Sequence, residues 1–441
     1  MIPSMIILIW EVRHKDGNEW FVFFSQNPVP LSFNPFLGAM FRKNPDRYFR
    51  NMFLRYIYRF RKYCFSRCSI VTEFKKNKNK DMFSKVNLFL FIGLITCLFT
   101  IETQAQVQNE DVFEHPGVND QNYRYNIRIP SIDGYQLLKC DFHIHSVFSD
   151  GQTWPDTRVN EAWNQGLDAI ALTDHIEYRK NKSLLISDFN KSNEIAVKRG
   201  EEIGLIVIPG SEITRKKPLG HINALFIRDA NKLEVDNEID AVNEAIAQGA
   251  FLIWNHPGWP NDTSTLYPVH QELIRRKKIH GAEVFNGEEQ YPKVMEWCNT
   301  FNLTWFSNSD LHYTAAGAYH DKLRRPMTLV FVKERSSEGI REALFAGRTL
   351  AFFDNCLAGK EEYIREIVSK SIEVKVINSQ KNTIEISNSS DITFQIKFGN
   401  YMYSKPIYAN QVLRIDMPRG SDVIFTNCYT GNNRFFTTKL W

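Results

Sequence analysis

Eight short apolar segments, at 136–143, 169–173, 205–210, 222–227, 251–254, 282–285, 303–307 and 327–332, restrict this fold more than any other feature. Between most of them lie stretches with helical spacing, at 157–166, 187–200, 236–249, 269–278 and 292–301. Brief apolar runs bounded by polar residues suit buried strands, and longer amphipathic runs suit helices. Their alternation predicts an α/β domain over 135–360 with a parallel sheet, and the number of units predicts a barrel. An open doubly wound sheet is the alternative, but no Gly-rich phosphate fingerprint follows the first strand. The pattern changes near Glu361. "SIEVKVINSQKNTIEISNSSDITFQIKFGN" alternates apolar and polar residues between Asn/Ser clusters, predicting a small antiparallel β-sandwich over 361–441 without helices.

The apolar segments end in residues of one chemical kind. His143 and His145 close the first in "KCDFHIHSVFSDG", with Asp150 just beyond. Residues two apart share one face of a strand, so the two imidazoles point the same way. Asp174 and His175 ("LTDH") end the second segment, Glu212 ("PGSE") ends the third, and His221 ("LGHINAL") opens the next. His256 ("WNHPGW") follows the fifth, Glu283 and Asn286 ("AEVFNG") close the sixth, and Asp310 and His312 ("NSDLH") lie past the seventh. One His-x-His pair is usually structural. In a parallel barrel, however, the C-terminal strand ends converge on one face, so this joint placement predicts a polynuclear metal site. Mixed imidazole and carboxylate ligation suits Zn, Mn or Fe. No Ser-His-Asp arrangement or G-x-S-x-G elbow supports covalent acyl chemistry.

The ordered motifs "DFHIHSVFSDG", "ALTDH", "IPGSE", "GHINAL", "NHPG" and "NSDLH" resemble the PHP (polymerase and histidinol phosphatase) superfamily, in particular its secreted phosphoesterase-like metallohydrolases. The resemblance covers roughly 137–355. It implies a distorted (β/α)7 TIM-like barrel holding two or three divalent ions at its C-terminal face. It suggests His143, His145 and Asp310 on one ion, with Glu212 bridging to a second completed by His221 and His256. Asp150, His175 and His312 would hold the third; some family members have His in the region of Asp150. The implied activity is hydrolysis of a small-molecule phosphodiester or phosphomonoester by metal-activated water. Asp174 is the candidate catalytic carboxylate, orienting a ligand or the nucleophile. Arg179 ("EYRKNK") and Arg215 ("TRKKP") are the candidate phosphate-binding cations, with a solvated charge run as the alternative. Trp254, Trp259 and Tyr178 flank ligands and suit either an organic leaving group or core packing. Similar family members that cleave carbamates, amides or carboxyl esters offer a second function. A non-catalytic metal-stabilised binding module is a third, less fitting because structural sites close their coordination with protein ligands.

Charge is divided unevenly along the 441 residues: 1–105 hold 16 Lys+Arg against 7 Asp+Glu, and the remainder 38 against 43. An acidic remainder predicts no nucleic-acid partner. Within the basic part, Met82-Phe-Ser-Lys85, the apolar "VNLFLFIGLITCLFT" and Thr103-Gln104-Ala105 match a signal peptide over 82–105. The apolar run is shorter than the ~20 residues of a membrane span. The expectation is therefore an exported protein, periplasmic or extracellular, without a span after cleavage, and with a polar linker at 106–134. Residues 1–81 show neither period and read as a non-native or disordered extension before a start at Met82; a basic membrane-associated extension is the alternative. Cys140, Cys298, Cys356 and Cys428 are too scattered to form a disulfide framework.

Overall fold

The computed structural model describes residues 6–14, 17–25, 123–185, 187–319, 324–400 and 402–441. The chain divides into two units, Met1–Phe113 and Glu114–Trp441. In the first, β1 (Ile6–His14) and β2 (Gly17–Ser25) pair antiparallel, with His14 opposite Gly17. Both strands fall within the stretch read from sequence as a non-native or disordered extension. Both runs are rich in β-branched and aromatic residues, which favour strands even without clean alternation. The rest of that extension, the 82–105 signal segment and linker residues 106–122 lie outside the described residues. No helix among the described residues is long and apolar enough to cross a membrane.

The second unit opens with β3 (Gln136–Asp141), α1 (Pro155–Asn164), β4 (Ala169–Leu172), α2 (Lys191–Ile203), β5 (Ile206–Thr214) and β6 (His221–Leu225). It continues with α3 (Glu238–Ala247), β7 (Phe251–Trp254), α4 (Pro268–Arg275), β8 (Gly281–Asn286), β9 (Glu289–Gln290), α5 (Pro292–Phe301) and β10 (Thr304–Asn308). Then come α6 (Ala315–Ala318), β11 (Met327–Val332), α7 (Ser337–Phe345), β12 (Thr349–Phe353) and β13 (Cys356–Gly359). Local chemistry starts the helices. Proline stands in the first turn of α1, α4 and α5, where its missing N–H costs nothing. The Asn237 side chain accepts from the backbone N–H groups of Ile239 and Asp240 to cap α3.

The strands hydrogen-bond in the order β10-β8-β7-β6-β5-β4-β3-β11-β12-β13. The pairs β3/β4, β4/β5, β7/β8 and β8/β10 are parallel, as the alternation predicts. The sheet differs from a regular parallel barrel in two respects. First, β6 runs antiparallel to β5 and β7, because residues 215–220 between β5 and β6 are too few for a crossover. Second, among the described residues no backbone ladder closes the sheet. Edge strand β10 instead meets β11 and β12 through side chains: Ser307 N–H donates to Thr328 Oγ1 at 3.0 Å, Ser307 Oγ to Phe352 O at 3.0 Å, and Thr349 Oγ1 to Trp305 O at 2.8 Å. Every residue of β4, β7, β8, β10 and β11 is buried, as strands covered on both faces must be. Cys140, Phe142, Ala169, Phe251, Phe306 and Val330 form one apolar cluster of the strand core. Each large side chain there contributes about 1.5–3 kcal/mol by leaving water.

The final segment departs from a helix-free sandwich. It begins with α8 (Glu361–Ser371), which buries Ile364, Ile367 and Val368. That helix flows directly into β14, so the strand pattern beginning at Ser371 masks it. β14 (Ile372–Asn378), β15 (Thr383–Asn388) and β18 (Val412–Asp416) form an antiparallel sheet. β16 (Phe394–Phe398), β17 (Lys405–Ile407), β19 (Asp422–Gly431) and β20 (Arg434–Lys439) extend the main sheet, because β19 pairs parallel with β13. Ile384, Ile386, Phe394 and Phe425 share one core cluster with Leu329 and Phe331, so these strands are continuous with the α/β part.

Candidate metal centre

The ends of β3, β4 and β5, the start of β6 and the turns after β7 and β10 deliver His143, His145, Asp150, His175, Glu212, His221, His256, Asp310 and His312 to one place. Three compact groups of donor atoms result: His143, His145 and Asp310; His143, Glu212 and His256; and His145, Asp150, His175 and His312. The first is the group expected from sequence. The others differ in that His143 and His145 are each shared, while His221 stands beside Glu212, with Nδ1 3.2 Å from Oε1. Gly151 permits the turn that carries Asp150, since a Cβ there would lie 2.6 Å from the His145 carbonyl oxygen. Two ligand candidates, His256 and Asp310, hold positive φ of 23° and 52°. Non-glycine residues rarely adopt this conformation, and it tends to persist at functional sites.

The distances describe a cluster held around shared carboxylates. His143 Nε2 lies 3.2 Å from Asp310 Oδ1 and 3.4 Å from Glu212 Oε1. His145 Nε2 lies 3.0 Å from Asp310 Oδ1, and its ring centroid is 4.3 Å from those of both His175 and His312, which are themselves 6.1 Å apart. Asp150 Oδ1 lies 3.4 Å from His175 Nε2 and 3.2 Å from His312 Nε2. His143 Nε2, both ring nitrogens of His145 and His221 Nδ1 are buried without a hydrogen-bond partner. Buried polar atoms normally find partners, and so many orphans converging on carboxylates fit divalent cations.

Electrostatics agree. Burial opposes charge on Glu212, but His175, His221 and His143 hold its pKa well below the carboxylate range. Burial likewise opposes charge on Asp310 and Asp150, yet the surrounding histidines hold both low. Burial alone would keep His143 neutral, whereas Asp310, Glu283 and Glu212 together push its pKa up. His145 is held down to about 4 by burial, with His175 and His312 opposing its charge. Three ionised carboxylates call for positive charge, which divalent cations held by these residues would supply while leaving the imidazoles neutral.

A ring of polar residues orients these ligands, and sequence reasoning found it only in part. Glu283 Oε1 accepts from His143 Nδ1 at 2.8 Å and from Asn308 Nδ2 at 3.0 Å, while Oε2 accepts from His256 N–H at 2.7 Å and from Asn286 Nδ2 at 2.8 Å. Asn255 Nδ2 donates to Glu212 Oε1 at 2.7 Å. Arg158, buried in α1, was not legible as a site residue. Its guanidinium donates to the carbonyls of His145 (2.9 Å), Tyr313 (2.5 Å), Leu311 (3.1 Å) and His312 (2.9 Å), and to Glu161. It therefore ties the turn after β3 to the turn after β10. In sequence it is one arginine inside an amphipathic helix, with no signal beyond its place on the buried face.

Three further candidates from the sequence bond to the loops around the cluster. The Asp174 carboxylate accepts from Ser146 N–H, Ser146 Oγ and Ser149 Oγ, each at 2.7 Å. These three bonds hold the loop that carries Asp150. Arg179 donates to Phe148 O at 3.0 Å and Ser187 O at 3.1 Å and packs over Phe189. Arg215 pairs with Glu177 at 2.7 Å and donates to the carbonyls of Asp236 and Val235. Both guanidinium groups bond to neighbouring loops, and Arg215 also lines a recess beside the ligand cluster. The ligand atoms open into a cleft of about 500 Å³, walled by Tyr178, Thr214 and Trp259.

Comparison with known proteins identifies the family. The PHP domain model matches residues 141–389, more than half of the chain, and the chain belongs to that family. The crystal structure of a two-domain Bacteroides vulgatus protein containing a predicted PHP-like metal-dependent phosphoesterase is 38% identical, with a TM-score of 0.68. The similarity covers 72% of this chain and 98% of that one. An uncharacterised protein of Methanocaldococcus jannaschii is 37% identical over 81 residues, which span 18% of this chain and 36% of that protein.

Proposed function

We propose that this PHP-family protein is a divalent-metal-dependent phosphoesterase acting on small molecules. The carrying observation is the set of three overlapping His/carboxylate groups, with unpartnered buried imidazole nitrogens, at the floor of an open cleft. The Bacteroides vulgatus relative, whose description names a phosphoesterase, supports the choice of bond. Bound divalent ions of the Zn, Mn or Fe type supply charge neutralisation at a phosphoryl oxygen and acidify water.

The chain's own residues prepare that chemistry. Glu283 accepts the Nδ1 proton of His143 and so fixes the tautomer whose Nε2 lone pair faces Asp310 and Glu212. The Asp310 carbonyl accepts from His312 Nδ1 at 2.8 Å, which directs the Nε2 lone pair toward Asp150. Oxygen-rich Asp150 favours a hard or borderline ion in the outer position. We also read the curled sheet as an opened (β/α)7 barrel with its seam at β10, and the C-terminal strands as a sandwich built onto it. We read the protein as exported, from the signal-like 82–105.

The test is metal analysis of purified protein, paired with turnover of chromogenic phosphodiester, phosphomonoester and carboxyl ester substrates before and after chelation. Phosphate-ester turnover lost on chelation and restored by Zn, Mn or Fe is expected. Turnover of the carboxyl ester alone would contradict the proposal.

A further inference from the structure

The space on either side of the ligand cluster differs from what a phosphate monoester needs. The central cleft of about 500 Å³ shares lining residues with two neighbouring recesses. On one side it shares His221, His256 and Trp259 with a recess of about 340 Å³ that also contains Lys217, Trp254 and Tyr267. On the other it shares Asp150, Tyr178, Asp310 and His312 with a recess of about 560 Å³ that contains Gln152, Lys180 and Tyr313. The cluster therefore lies between two organic-sized spaces, rather than at the blind end of one.

Each side begins with an exposed ring against a ligand histidine. The Trp259 indole is 53% exposed, and its centroid is 4.9 Å from His221 and 5.6 Å from His256. The Tyr178 ring is 52% exposed and 5.8 Å from His175. Large aromatic side chains left half in water beside a buried polar cluster offer stacking faces for a planar group. Charge points the same way. No Arg or Lys is among the described residues lining the central cleft, and the guanidinium groups of Arg179 and Arg215 are engaged elsewhere. The cations stand in the flanking recesses: Arg215, Lys216 and Lys217 in one and Lys180 in the other. Cations placed in the recesses rather than at the cluster suit groups that extend from the phosphorus into both spaces, while divalent ions at the cluster would neutralise the phosphoryl oxygens themselves.

Resting on the phosphoesterase reading, we infer that the substrate is a phosphodiester whose two organic groups occupy the two recesses, one of them a planar ring stacked on Trp259. The bond that breaks joins phosphorus to one ester oxygen. Water supplies the new P–O bond, and the departing alcohol or phenol leaves with a proton from that water.

The test compares metal-loaded protein with bis(4-nitrophenyl) phosphate, methyl 4-nitrophenyl phosphate, 4-nitrophenyl phosphate and 4-nitrophenyl acetate. It adds calorimetric binding of two non-hydrolysable probes, diphenylphosphinate and phenylphosphonate. We expect kcat/KM at least about tenfold higher for the bis-aryl diester than for the monoester, and tighter binding of diphenylphosphinate than of phenylphosphonate. Trp259→Ala should weaken diphenylphosphinate about tenfold and raise KM for the bis-aryl diester more than it lowers kcat, while Trp259→Phe restores most of the loss. Preference for the monoester, or unchanged diphenylphosphinate affinity in a folded Trp259→Ala, overturns this inference and leaves the phosphoesterase reading standing. Turnover of the acetate ester alone overturns both.

Discussion

The inner and outer halves of the ligand cluster are built by different means. Inner ligands His143 and Glu212 are fully buried, and His256 nearly so; side chains fix them, through Glu283, Asn255 and the asparagines that hold Glu283. Outer ligands Asp150 and His312 have side chains 16% and 29% exposed and stand on loops. Those loops are fixed largely through their backbone: Arg158 gathers the carbonyls, and Asp174 grips Ser146 and Ser149. An inner site specified by rigid strand ends should fail as a whole when one member is lost. An outer site specified by loop conformation should weaken without taking the inner one with it.

The strongest way to break this contrast is Glu212→Ala. Glu212 lies within reach of His143, His145, His175, His221 and His256, so its loss should lower kcat/KM by about 10³-fold or more. Next in size is Glu283→Gln, which disturbs the His143 tautomer without removing a ligand. A fall of about 10–100-fold in activity or metal affinity is expected by steady-state kinetics and metal titration. Arg158→Met should act on the outer half: about tenfold weaker binding of the most weakly held ion, a raised KM and a lowered Tm, because several buried carbonyls lose their donor. Unchanged metal affinity in that variant would mean that Arg158 only stabilises the fold.

The smallest expected effect concerns neither half and separates loss of fold from loss of metal. Burial depresses the pKa of His270 and of His280 to about 4 each. Both are neutral in the folded chain at pH 5, whereas the unfolded chain protonates them below about pH 6.5. Stability is thus fully present above pH 6.5 and declines as the pH falls from about 6.5 to about 4, by of order 1–3 kcal/mol per residue. Urea unfolding of chelated protein at pH 7 and pH 4.5 measures the slope, and His270→Gln should flatten it.

Much of this was legible in sequence for a physical reason. Parallel strands between helices must be apolar along their length, so the polar residues that end them stand out. His143, His175, Glu212 and Asp310 are all visible in that way. What sequence left hidden depends on direction or on distance. The reversal of β6 follows from a short connection, which was readable but outweighed by the alternation. Asp174, Arg179 and Arg215 sit beside ligands in sequence, yet their side chains face the supporting loops. Arg158 acts across |i−j| of 153 to 155 on the turn after β10, a relation that no local pattern encodes.

The most direct test of the divided cluster is metal stoichiometry measured side by side on wild type, Asp150→Ala and Glu212→Ala, each checked for wild-type secondary structure. The account predicts that Asp150→Ala carries one ion fewer than wild type and retains reduced but measurable turnover, while Glu212→Ala loses more metal and all turnover. Equal metal loss in the two variants would contradict it, showing one cooperative cluster in which inner and outer halves have no separate existence.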